Sequence, residues 1–174
     1  MWETIATEAA LGSPLWADSL EPVEERRHEP VFSPLVPAEL ALGVETIYEG
    51  YLVHYGRSRL FAPPDSDTAL LLGDYLYAQG LVHIAATGNV EAVADLAELI
   101  SLCAQARAER RAGDGVAWAA TAARLGAGGL DSARDTLRLH ADPSPLDETA
   151  RAAAGDEYVE RALAAHGALV GSII

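Results

Sequence analysis

The sequence predicts an all-α fold, on three observations. Alanine supplies 34 of the 174 residues and phenylalanine only two, a composition that favours helix over sheet. Apolar residues recur at three- and four-residue spacing over long windows, which is the repeat of a helix face. Glycine, proline, Asn and Asp punctuate those windows where helices begin and stop. No stretch reads as a convincing strand, and no internal repeat is present. The length suits one domain with its own core.

A short helix is expected over about residues 2–11. Pro14, Pro22, Pro30, Pro34 and Pro37 then follow too closely for a long helix, so residues 1–37 read as a Pro-rich arm laid over the surface. Residues 38–112 read as a three-helix core. In its first helix Leu40, Val44, Ile47, Tyr48, Tyr51 and Tyr55 share one face, running to about Leu60. The run "APPDSD" breaks that helix, and Asp65 or Asp67 caps the next, which ends at "TGN" with Gly88 as a left-handed stop. Asn89 caps the third helix, whose apolar stripe is Val90, Val93, Leu96, Ala97, Ile100, Cys103 and Ala104. Residues 115–174 hold shorter helices at about 115–125 and 130–140. A last helix is capped by Ser144, with Pro145 at its first position.

The charge narrows the function. The net charge of −14 argues against nucleic acid and anionic membranes as partners. All 12 basic residues are Arg, so the P-loop lysine, the Schiff-base lysine and the pyridoxal anchor are excluded. The single cysteine, Cys103, excludes an internal disulfide framework. Residues 69–88 are apolar but interrupted by Asp74, Gln79 and His83, which fits a buried helix better than a membrane span. The N-terminus lacks the basic residues that open a Sec signal, and a cytoplasmic location is expected.

Residues 52–59, "LVHYGRSR", and residues 69–78, "ALLLGDYLYA", resemble trans-isoprenyl diphosphate synthases, the polyprenyl synthetase family. There a helix ending in Leu-(Ile/Val)-His-Asp-Asp-x-x-Asp precedes one beginning "AVLAGDYLLA". The helix–Gly–helix rhythm continues to about residue 110, and "DEYVERALAAHGAL" is similar to the family's C-terminal helix. The resemblance implies a bundle like part of the isoprenoid synthase fold. It also implies what is missing: Tyr55, Gly56 and Arg59 stand where three Asp residues hold the Mg²⁺ that clamps a diphosphate. No second aspartate motif follows, so the resemblance implies the fold and argues against the reaction.

Residue by residue, the candidates for chemistry have plain structural alternatives. Asp74, with Tyr75 and His83, is the most pointed cluster, near where the resemblance puts a diphosphate cavity; the alternative is a structural Asp held by Arg57, Arg59 or a helix N-terminus. His54 and His83 fit hydrogen-bonded core or interface positions. Asp65 and Asp67 suit capping, Asp156, Glu157 and Glu160 a solvated face, and "LGAGGLDSARD" an interhelical loop. The Glu25–His28 pair is too isolated for a di-iron site, and Cys103 fits a small core residue. Tyr48, Tyr51, Tyr55, Tyr75 and Tyr77 line a cavity, form an interface or fill the core; the sequence leaves the three open.

The reading that follows is a non-catalytic polyprenyl-synthase-like protein with no cofactor and no metal. It acts as a structural or regulatory subunit, in a homo-oligomer or beside a full-length polyprenyl synthase. The alternative is an isoprenoid- or lipid-binding protein, or a metal-independent enzyme, with Asp74, Tyr55, His83, Tyr51 and Arg59 around a remnant cavity.

Overall fold

The computed structural model describes residues 1–170, and they are helical throughout their regular structure. The helices are α1 (Trp2–Gly12), α2 (Pro14–Asp18), α3 (Ala41–Tyr55), α4 (Ser66–Ala86), α5 (Val90–Ala108), α6 (Asp114–Ala123), α7 (Asp131–His140), α8 (Ser144–Ala154) and α9 (Asp156–Val170). Single 3₁₀ turns occupy Val23–Glu25, Ser33–Leu35 and Ala38–Leu40. Among the described residues no strand forms; one isolated bridge joins Leu20 to Phe61.

α3 is the centre of the molecule, with every residue from Gly43 to Leu52 buried. It packs most extensively against α4, and glycine is the reason. A Cβ placed on Gly50 would lie 2.8 Å from the carbonyl oxygen of Gly73, and one on Gly80 would lie 2.8 Å from that of Gly43. Gly43 and Gly50 are seven residues apart, as are Gly73 and Gly80, so two antiparallel helices touch backbone to backbone at two levels. α6, α8 and α9 close the main core on the other side of α3, around Phe32, Trp118, Leu99 and Leu146. A smaller core joins Ile5, Ala9 and Trp16 of α1 and α2 to Leu60, Phe61, Leu72 and Leu76.

Local signals set several boundaries where the sequence places them. The Asp65 side chain accepts the Thr68 N–H, the Asn89 side chain accepts the Ala92 N–H, and Gly88 takes φ +79° after α4.

Elsewhere long-range contacts overrule them. α3 stops at Tyr55 rather than near Leu60, because the N–H groups of Arg59 and Leu60 donate to the Glu49 carboxylate at 2.7 and 2.9 Å. The arm does not simply cover the surface: Val31 and Phe32 enter the main core, and their N–H groups donate to Glu45 at 2.9 and 3.2 Å. The buried stripe of α5 is Ala92, Asp95, Leu96, Leu99, Leu102, Cys103 and Ala106, turned from the expected one so that Val90 faces solvent. Asp95 draws that face inward by pairing with the buried Arg134 at 3.0 Å. The last helix is two, broken at Gly155 with φ +87°. α8 starts at Ser144 itself, and Asp142, not Ser144, receives the free N–H, that of Ser144, at 2.9 Å.

Candidate functional site

Two buried polar clusters surround α3, and between them they use much of the chain's interior charge. The first is built on Glu45 and Glu49, one turn apart and both sealed from solvent. Arg59 donates from Nη1 to Glu45 at 2.7 Å, from Nε to Glu49 at 2.9 Å and from Nη1 to the Glu29 carbonyl at 2.9 Å. Burial works against the Arg59 charge, and the carboxylates of Glu49 and Glu45 more than offset it, leaving its affinity for the proton raised. Glu45 also takes N–H groups from Val31, Phe32 and Ser33, and Glu49 those of Arg59 and Leu60. The remaining Arg59 nitrogen, Nη2, has no hydrogen-bond partner among the described residues; the guanidinium lies over the Trp2 ring at 4.5 Å. Arg59 is therefore a buried tie between the arm and α3, with no face left for a ligand.

The second cluster joins α3, α5, α6 and α9. The Tyr51 hydroxyl donates to Asp114, which also receives Nη2 of Arg107, while Arg107 Nε donates to the Tyr51 oxygen at 3.0 Å. His166 lies between Asp114, at 3.6 Å from Nε2, and the Tyr48 hydroxyl, at 3.0 Å from Nδ1. Burial alone would raise the pKa of Asp114, but hydrogen bonds from His166 and Tyr51 and the charges of His166 and Arg107 hold its carboxyl well below the usual range.

The order hydroxyl–imidazole–carboxylate has the outline of a nucleophile relay, and its chemistry runs the other way. Burial pushes the Tyr48 and Tyr51 phenols up, whereas an activated nucleophile needs its proton loosened. Tyr48 is wholly inaccessible, packed on Phe32 and Trp118 at ring separations of 5.0 Å each. The cluster locks four helices together.

The remaining candidates sit apart from one another. Asp74 is 65% exposed on α4, and its carboxylate meets His54 Nε2 at 3.2 Å, rather than Arg57 or Arg59. Its neighbour Gly73 explains the pair: a Cβ there would lie 2.4 Å from the same His54 nitrogen, so the imidazole occupies the space that glycine leaves. His83, two and a half turns further along α4, binds Glu8 of α1 at 2.7 Å. Tyr55 is half-buried between Tyr51 and His54, at 5.2 and 5.5 Å. Cys103 is a sealed core thiol, pushed up by burial.

Hollows among the described residues include one of about 290 Å³ beside Val53, Arg57 and Phe61, one of about 290 Å³ beside Arg124 and Thr149, one of about 330 Å³ beside Glu98 and Asp131, and one of about 10 Å³ beside Leu102 and Leu137. None is lined by Tyr51, Tyr55, Arg59, Asp74 or His83, so these five residues do not share one of them. Among the described residues no group of three or more His, Cys, Asp or Glu is placed to hold a metal, and no helix is long and apolar enough to cross a membrane.

Sequence reasoning passed over Glu45, Glu49, Arg107, Asp114 and His166. A signal existed for the first two: carboxylates four apart inside a helix whose other residues are apolar, aromatic or glycine must be paired if that helix is buried all round. Asp114 and His166 have no local signal, since their partners come from distant helices.

No protein-family model, no curated protein and no solved structure matches the chain. What remains exposed is the outer face of α4: Leu70, Leu71, Asp74, Ala78, Val82, Ala85 and Ala86 look outward, with neither Lys nor Arg on the helix.

Proposed function

We propose that the chain is a non-catalytic protein that works by association, a polyprenyl-synthase-like helical scaffold serving as a structural or regulatory subunit. The observation that carries this reading is the outward apolar face of α4, which has Leu70 and Leu71 each 56% exposed and Val82 59% exposed. The buried charges support it from the other side. Glu45, Glu49, Arg59, Asp114 and Tyr51 are spent on internal bonds, leaving none of them free to meet a substrate. Asp74 and His83 are each bonded within the fold, to His54 and Glu8, rather than facing one shared hollow with Tyr55.

The test is native mass spectrometry and sedimentation velocity at micromolar concentration, on the chain alone and mixed with a complete polyprenyl synthase. An assembly that dissociates when Leu71 and Val82 are both changed to Gln is the expected result. A monomer under both conditions refutes it. No magnesium-dependent prenyl transfer is expected from the chain alone.

A further inference from the structure

The apolar face of α4 carries no arginine. Five of the ten large apolar side chains exposed among the described residues lie on α1, α2 and α4: Leu11, Leu15, Leu70, Leu71 and Val82. α1 meets α4 through Gly12 against the Tyr75 hydroxyl and Glu8 bonded to His83.

These three helices carry Glu3, Glu8, Asp18, Asp67 and Asp74, and none of the chain's 12 arginines. Every arginine–carboxylate pair among the described residues is made elsewhere. Asp67 and Asp74, seven residues apart, lie on one line of α4 in the middle of the exposed stripe, and both are exposed. A second copy of this chain would bring the same carboxylates and another net charge of −14 to the contact. Charge complementarity therefore selects against self-pairing and for a cationic occupant.

We infer that the α4 face is the docking site for a basic amphipathic helix of another protein. The apolar stripe of that helix packs on Leu71, Ala78 and Val82, while its Arg or Lys flanks meet Asp67 and Asp74. This rests on the association reading above and gives it a partner class.

The test uses the full chain and two dye-labelled three-heptad helical peptides with leucine at a and d. One carries arginine at e and g, its twin glutamate, and fluorescence anisotropy follows each titration. The arginine peptide is expected to bind about tenfold or more tighter than the twin. Its affinity should fall several-fold with Asp67→Asn and by about tenfold with Leu71→Gln plus Val82→Gln, the far-ultraviolet circular dichroism of both variants staying unchanged. Raising the salt from about 50 to 500 mM should weaken it further. Equal binding of the two peptides, or binding of neither, overturns the inference. A homodimer that dissociates on the Leu71/Val82 change also overturns it, while leaving the association reading standing. If the chain is monomeric alone and with a complete synthase, and neither peptide binds, both readings fall.

Discussion

Gly50→Ala tests the packing at the centre of the molecule. The added Cβ would sit 2.8 Å from the Gly73 carbonyl oxygen and 3.1 Å from both the Leu76 Cβ and the Tyr77 ring. A carbonyl in a helix cannot swing aside, so α3 and α4 must part by roughly 0.6 Å to restore an ordinary contact. Overpacking at a rigid site costs about 3 kcal/mol, and replacing glycine by alanine in a helix returns about 1 kcal/mol. The net loss is about 2 kcal/mol, or roughly 4–8 °C in melting temperature for a chain of this size. Gly167→Ala is the matched control: it lies in α9 with no neighbour among the described residues within 4 Å of the new methyl, and should gain about 1 kcal/mol. The assay is urea unfolding followed at 222 nm, with the slope checked for constancy. If Gly50→Ala matches the gain of Gly167→Ala, the helices do not touch backbone to backbone and the account of the fold fails.

Three further outcomes follow from the buried charges. Arg59→Met strands Glu45 and Glu49 in a dry interior, and should cost about 3–5 kcal/mol or prevent folding, read by the same urea titration. Asp114→Asn should cost about 3 kcal/mol at neutral pH. Because the folded state depresses the Asp114 pKa, its contribution is present above about pH 4 and lost as the pH falls, so the gap between variant and parent narrows in acid. Burial lowers the His54 pKa, with Asp74 opposing. Its contribution is therefore present above the unfolded value near pH 6.5 and lost as the pH falls below it, so the stability difference between parent and His54→Gln should shrink from pH 8 to pH 5 in a thermal-melt series.

What was legible in the sequence was local. Asp65, Asn89 and Gly88 act within a few residues of themselves, and they bound α4 and α5 where their chemistry dictates. Periodicity found α3 but not its end, because Glu49 captures the N–H groups of residues beyond it. Asp74 drew notice as an acid in an apolar helix, and its partner His54 was already in view; the sequence could not show that Asp74 is exposed while His54 is tucked beneath it. Arg59 looked like a substitution for a metal-binding aspartate, whereas its position is fixed by two carboxylates of α3. His166 was beyond reach, since its meaning depends on Tyr48 and Asp114 from two other helices.

The span of that last contact bears on how the chain matures. The α3–α4 hairpin closes over a short loop, so it can form while the rest of the polypeptide is still being made. Tyr48 waits for a residue 118 positions downstream. Until α9 is made, the Tyr48 hydroxyl lacks its His166 partner, while Tyr51 can already meet Arg107 and Asp114. α9 thus acts as a late clasp on the core, and the packing around Tyr48 is complete only when His166 arrives.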